Sequence, residues 1–323
     1  MVAETFSALF GVRVATALMK TFETVPPDPE IVGGINEVFR HPIFADGSEA
    51  ERKRIMIASA QSIYHDELQY PWDNYFGREL GPLLAEKHAL DLGCFTGGRA
   101  VAWFQRYGLG SVSGLDTDEV FIEAAEAFAA SKGVPAAFMV GRGEELPIED
   151  ETFDAILSFD VLEHVQDPSQ VLAECRRVLK PRAQAFLVFP GFFHPFEHHL
   201  SHVTTAPFVH YVFKPRVLLD AYCTILDERG NAAAWYARQP RALQSWERGN
   251  TINGLTLRRF RRLATEAGFV IEEQVRKPLG SVGRRSTDSH LYHLAAKLLR
   301  PLAALPLLEE AVLHRGAFVL RKA

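Results

Sequence analysis

Ala89-Leu90-Asp91-Leu92-Gly93-Cys94-Phe95-Thr96-Gly97-Gly98, followed by a second acid at Ser113-Gly114-Leu115-Asp116, decides how this chain folds. An apolar strand runs into a glycine-rich turn and a helix. A second apolar strand follows, with a carboxylate at its end. This is the layout of a βαβ nucleoside site: the glycines let the backbone approach a ligand, and the later acid accepts hydrogen bonds from ribose hydroxyls. A dinucleotide fingerprint, G-x-G-x-x-G, keeps its second glycine bare so that a pyrophosphate can reach the helix N-terminus. Gly93, Phe95 and Gly98 hold those three places here, so a phenyl ring stands where the pyrophosphate would pass. A nucleoside without phosphate, carrying an amino-acid tail along the turn, is compatible with that ring.

Outward from this stretch the β-α rhythm continues. Strands are expected near 87–92, 111–116, 136–140, 153–159 and 183–189, with helices near 97–106, 118–131 and 168–178. Such alternation builds a parallel sheet with helices on both faces, and ligands gather at the carboxyl ends of its strands. Residues 1–80 precede this core as an N-terminal helical segment. Phe6, Leu9, Phe10, Ala17 and Leu18 recur at helical spacing, Pro26-Pro27-Asp28-Pro29 ends that helix, and a second helix spans Ala50 to Gln69. Residues 191–250 break the rhythm and are rich in aromatics and histidine, as expected of an inserted lid over the site. Residues 251–323 return to it, with a helix over 256–267 closed by Gly268 and strands near 269–275 and 315–320. The stretch Leu291 to Leu313 between those strands reads as helical.

Four further motifs match a known family in order and spacing: Gly141-Arg142-Gly143-Glu144-Glu145-Leu146-Pro147-Ile148, Phe153 to Phe159, Asp160-Val161-Leu162-Glu163-His164-Val165, and Val171 to Pro181. With the glycine turn they cover residues 87–190, about a third of the chain. On these residues the chain resembles the class I S-adenosylmethionine (SAM)-dependent methyltransferases of the small-molecule type. The resemblance implies a seven-stranded, mostly parallel, doubly wound sheet of order 3-2-1-4-5-7-6, with the last two strands an antiparallel hairpin at its edge. It implies SAM as cofactor and an N-terminal cap over the SAM pocket. Two departures stand out. Phe95 replaces the middle glycine of the family's turn, and Arg142 stands where the family commonly has an acid for the adenine amino group. Arginine cannot accept a hydrogen bond, which leaves that task to Glu144 or a backbone carbonyl.

On this reading Asp116 takes the ribose diol. Gly93 and Gly97 permit close backbone approach, and Asp91 fixes the turn and contacts the methionine ammonium. Phe95, Thr117, Arg142, Gly143 and Glu144 line the cofactor, and Phe159 and Asp160 face the sulfonium side. Capping of the following helix is the structural alternative for Asp116, and a plain tight turn is the alternative for the glycines. Methyl transfer is an in-line displacement governed by positioning, and a base is needed only when the acceptor carries a proton that must leave. Candidates near the acceptor are His164, His199, His210 and Tyr64, with His65, Tyr70 and Tyr211 behind them. Tyr70-Pro71-Trp72-Asp73-Asn74-Tyr75-Phe76 either lines the pocket or packs the cap.

His194, His198, His199, His202 and His210 place five of the twelve histidines within seventeen residues. Their spacing is not H-E-x-x-H and no cysteine is near, so no metal is expected. The resemblance offers another account: relatives with an insertion here show a His-Leu pair followed by Pro-aromatic-x-His, as in His199-Leu200 and Pro207-Phe208-Val209-His210. That makes the segment a lid shaping the acceptor pocket.

A net charge of −5 argues against a nucleic-acid substrate, and the cluster Arg258, Arg259, Arg261 and Arg262 reads as a solvated helix face. Cys94, Cys175 and Cys223 lie far apart, as expected of reduced, buried thiols in a cytoplasmic protein. With Glu4, Arg13 and Lys20 among the first residues no signal peptide is expected, and no apolar run is long enough to span a membrane. The expected function is therefore methylation of O, N or C on a small metabolite, of the kind met in secondary metabolism. One alternative keeps SAM as sole substrate and cyclises it with release of methylthioadenosine. A second is a SAM-binding protein without catalysis. The sequence leaves the oligomeric state open.

Overall fold

In the computed structural model the described residues are 2–24, 48–196, 200, 203–229, 253–278, 294, 297–298, 301–302, 305 and 308–323. They form two compact units, one of residues 1–55 and 195–254, the other of residues 56–194 and 255–323. Packing thus divides the N-terminal segment near residue 55 and groups its start with residues 195–254.

The second unit is a seven-stranded sheet of order β3-β2-β1-β4-β5-β7-β6. Its strands are β1 (His88–Leu92), β2 (Ser111–Asp116), β3 (Ala136–Val140), β4 (Phe153–Phe159), β5 (Leu179–Phe189), β6 (Phe269–Pro278) and β7 (Leu313–Lys322). β1 to β5 pair in parallel, whereas β7 runs antiparallel to both β5 and β6. This is the order and sense the resemblance implied. β5 starts four residues earlier than its hydrophobic run announces. Phe153 pairs Leu179, then pairing resumes at Ala155 with Gln184. The intervening Pro181 cannot donate to the ladder and Arg182 takes a positive φ of 65°, so the strand bulges there.

Local chemistry places the helices. Asp118 caps α6 (Glu119–Ser131) by accepting from the Val120 amide. Asp167 caps α7 (Pro168–Val178) through the Ser169 and Gln170 amides, with Pro168 in the first turn. Thr256 caps α10 (Leu257–Glu266) through the Arg259 amide. α5 (Gly98–Tyr107) runs from the glycine turn to a left-handed Gly108. One face of the sheet, with Leu90, Leu92, Ile156 and Phe189, packs on Leu172 and Val171 of α7 and on Phe260 of α10. The other, with Ala89, Val112, Leu157 and Phe186, packs on Trp103 of α5, Phe128 of α6, and Trp72 and Phe76. Trp72 stacks on Trp103 with ring centroids 4.5 Å apart. Most of the aromatic segment ahead of β1 is therefore core. Its short helix α3 (Asp73–Phe76) follows α2 (Glu49–Gln69) and precedes α4 (Gly81–Leu84).

The first unit contains α1 (Val2–Thr21), α8 (Val209–Val212) and α9 (Pro215–Arg229). Ala15 and Met19 of α1 are fully buried, as are Leu218, Ala221 and Ile225 of α9. Thr204 Oγ1 donates to the Met19 carbonyl at 2.8 Å. Arg229 binds Glu23 and the Thr24 carbonyl. The N-terminal helix and the insertion are thus one body. The expected helix stop at Pro26–Pro29 and most of the expected helix Leu291–Leu313 lie outside the described residues. A short α11 (Glu309–Val312) leads into β7. No helix among the described residues is long and apolar enough to cross a membrane.

Candidate functional site

The site is built on the carboxyl end of β1. Asp91, next to last in that strand, is buried, paired in register with Gly114 of β2 and Leu157 of β4. Its Oδ2 has no hydrogen-bond partner. Burial raises its pKa to about 7, Arg99 draws it back down, and Asp116 and Glu67 add to the rise. A buried carboxyl with an open oxygen is costly unless something cationic arrives. Thr96 Oγ1, in the turn itself, is likewise buried without a partner.

The turn folds back on β2: the amides of Gly93 and Cys94 both donate to the Leu115 carbonyl, at 2.8 and 3.0 Å. Gly93 and Gly97 adopt φ of 78° and 73°, where an added Cβ would meet Val161 and Ala125. These are positions only glycine fills without strain. Phe95 also sits at positive φ, 48°, so the backbone has the conformation a glycine would take. Its ring turns onto α6, edge-on to Phe121 at 4.4 Å. Its amide donates to Asp116 Oδ2 at 2.9 Å, and Asp116 Oδ1 accepts from the Thr117 amide at 2.7 Å. Asp116 therefore organises the turn from one strand away. Burial raises its pKa, opposed by those amides. Asp118, not Asp116, caps α6.

Arg142 is exposed and lies 3.6 Å from Glu144. Glu144 Oε1 accepts from the amides of Gln166 at 2.7 Å and Asp167 at 3.3 Å. Glu144 thus fastens the segment after β4. Gly143 packs against Val171.

Phe159 closes β4, and Asp160 follows at φ 56°. Arg315 of β7 holds Asp160 in a two-point ion pair. His164 is half-buried, its Nε2 3.9 Å from Glu163.

Tyr64 has partners of its own. Its hydroxyl donates to Gln105 at 2.6 Å, and its ring meets Phe128 and Lys132. Gln105, Phe128 and Lys132 stand at the carboxyl ends of α5 and α6. Those partners stand a helix length from the glycine turn, although Ala60 and Glu67, one turn either side of Tyr64, meet Gly98 and Arg99. His65 bonds Gln61. His210 lies in the first unit, on α8, its ring edge-on to Tyr211. His199, with His198 and His202, falls outside the described residues, so the metal question for that segment does too.

Sequence reasoning passed over Arg99 and Arg315, which stand over the Phe159 ring, and His314, which stacks on Tyr75. Arg99 lies with its guanidinium carbon 4.1 Å from the Phe159 ring centroid. His314 and Arg315 open β7. Arg99 carried a legible signal: a cation in the first turn of a helix opposes the macrodipole, which favours anions there. His314 and Arg315 carried none, since their partners Tyr75 and Asp160 lie far away in the chain.

Residues 90–187 match the family model described as "Methyltransferase domain". Over 104 residues the chain is 34% identical to norajmaline N-methyltransferase of Rauvolfia serpentina, covering 32% of this chain and 35% of that one. It is 36% identical over 104 residues to the ubiquinone biosynthesis O-methyltransferase of Pseudomonas entomophila, covering 32% and 44%. The chain thus spans less than half the length of these curated relatives. Among solved structures, geranyl diphosphate methyltransferase in complex with SAM aligns over 90% of this chain and 97% of its own at 16% identity, TM-score 0.48. Residues 90–187 thus carry the methyltransferase domain, and over that span the chain is similar to class I SAM-dependent methyltransferases.

Proposed function

We propose that the chain transfers a methyl group from SAM to a small-molecule acceptor. The observation that carries this is Asp91: a buried carboxyl with one unpartnered oxygen beside a glycine turn that Asp116 holds open. Asp91 suits the methionine ammonium, and the nearby buried Thr96 hydroxyl gives the tail a second polar contact. Asp116 accepts from the ribose hydroxyls, and Gly93 and Gly97 let the turn's backbone close on the tail. Bound there, SAM supplies an electrophilic methyl on a cationic sulfur. The chain's part is positioning. The buried turn excludes water.

His164, Phe159 and Asp160 belong to the same proposal on the β4 side. The curated relatives named above methylate nitrogen in one case and oxygen in the other, and the acceptor atom here is not assigned. Incubation with SAM, with and without candidate acceptors, followed by product analysis tests the reading. S-adenosylhomocysteine formed only with an acceptor supports it. Methylthioadenosine formed from SAM alone would replace it with intramolecular cyclisation, and tight binding with neither product would leave a binding protein.

A further inference from the structure

Around Phe159 the second unit collects hydrogen-bond donors that the cofactor reading does not use. The Arg99 guanidinium carbon lies 4.1 Å from the ring centroid and that of Arg315 lies 5.2 Å away. Tyr75 meets the ring edge-on at 5.2 Å and stacks with His314, their centroids 6.4 Å apart and planes 16° from parallel.

The protonation states follow from geometry. His314 Nε2 lies 2.6 Å from Arg315 Nη1. A guanidinium only donates, so Nε2 accepts, and the proton of the neutral ring sits on Nδ1. Burial first, then Arg315 and His194, hold its pKa at about 3, with Asp160 opposing. His314 is therefore a donor and not a base. Burial also raises the Tyr75 pKa, with Arg315, Asp160 and Arg99 the nearest charges, so its hydroxyl keeps its proton. Among the described residues Arg99 makes one long side-chain hydrogen bond, Nε to Glu67 at 3.4 Å. Glu67 is itself buried, bound to the Trp72 amide, and pushed toward its neutral form chiefly by burial.

The carboxylates nearby are committed: Asp160 to Arg315, Glu67 to Trp72 and Arg99, and Asp91 to the cofactor's ammonium. A cationic sulfur would add positive charge to a group already rich in N–H and O–H donors. The complement to such a group is an oxygen anion.

We propose that Tyr75 and Arg99, gathered about Phe159, and His314, stacked on Tyr75, form an acceptor subsite for an oxygen anion, a carboxylate or phenolate carried by the molecule to be methylated. This rests on the methyltransferase reading. The cofactor's own carboxylate is the other source of the same chemistry, and the test separates the two.

Benzoate, neutral benzamide and cationic benzamidine are titrated into the full chain by calorimetry and ligand-observed NMR, with and without saturating S-adenosylhomocysteine. With the nucleoside bound, benzoate is expected to bind roughly tenfold or more tighter than benzamide, as a charge-assisted contact should. Arg99→Gln and the conservative Tyr75→Phe should each reduce that preference while leaving S-adenosylhomocysteine affinity intact. Equal binding of the three probes overturns the proposal. So does no benzoate binding up to about 10 mM, a level that even ordinary ligand efficiency reaches. Loss of nucleoside affinity in Arg99→Gln, with benzoate preference unchanged, also overturns it and gives Arg99 to the methionine tail. Failure of S-adenosylhomocysteine to bind while benzoate is still preferred removes the cofactor reading and leaves the subsite standing.

Discussion

Arg315 grips Asp160 with two parallel hydrogen bonds, Nε to Oδ1 at 2.6 Å and Nη2 to Oδ2 at 2.5 Å. The pair ties the last strand of the chain to the residue that ends β4, and Asp160 holds a left-handed φ of 56° there. Bidentate geometry raises the strength of such a pair, while partial exposure of both side chains lowers it. Asp160→Ala is expected to lower stability by about 1–3 kcal/mol, since it leaves a guanidinium without its carboxylate. In a double-mutant cycle with Arg315→Ala, chemical denaturation should give a coupling above about 0.5 kcal/mol. Additive losses would mean that the two residues act separately.

Asp116 does two jobs, and one substitution separates them. Asp116→Ala removes the acceptor for the Phe95 and Thr117 amides as well as the proposed ribose contact. S-adenosylhomocysteine affinity should drop by about tenfold or more, the equivalent of roughly 1.5–3 kcal/mol for a bond to a charged group. Asp116→Asn keeps one carbonyl oxygen and should lose less. Calorimetric titration of both variants decides the point, and wild-type affinity in Asp116→Ala would remove the residue from the nucleoside site.

Asp91 and His314 give pH dependences of opposite sign. The folded-state pKa of Asp91, about 7, exceeds its unfolded value of 3.8, so the folded chain binds the proton more tightly. Its contribution is fully present below pH 3.8 and is lost as pH rises through 7. His314 is held at about 3, below its ordinary 6.5, so stability falls as pH drops from 6.5 toward 3. In ligand-free protein, Asp91→Asn should raise the melting temperature more at pH 8 than at pH 5. His314→Gln should raise it more at pH 4 than at pH 8. Thermal melts across that range would detect either trend, and a flat difference for one variant dismisses the corresponding assignment.

Asp91 also predicts a proton coupled to binding. A cationic ammonium at its open oxygen favours the carboxylate, so binding at pH 6 should release protons. Release should vanish above pH 8 and in Asp91→Asn. Calorimetry in buffers of different ionisation enthalpy measures this directly.

Tyr64→Phe serves as the contrast. Its hydroxyl bonds Gln105, in the last turn of α5. The expected result is unchanged S-adenosylhomocysteine affinity and a stability loss of about 1 kcal/mol or less. A large loss of affinity would contradict that placement.

The β-α alternation of the core was legible because it depends on local signals, and the strand order followed from the resemblance those residues carry. Asp118, Asp167 and Thr256 each precede a helix they cap, and Asp91, Gly93 and Asp116 fall at fixed spacings on βαβ geometry. What escaped depends on pairs far apart in the chain. Asp160 meets Arg315 across 155 residues, and Gln105 meets Tyr64 across 41. No periodicity encodes such contacts. The bulge in β5 escaped for a different reason: Leu179 looks like a helix end, and only the pairing with Phe153 makes it strand.

Thr204 reaches the Met19 carbonyl across 185 residues. During synthesis, then, the first helix leaves the ribosome long before its partner Pro215–Arg229 exists. It must wait unassembled while most of the sheet emerges. Clipping the first twenty residues would not trim a dispensable end; it would strip the later helix of the apolar surface it is built to cover.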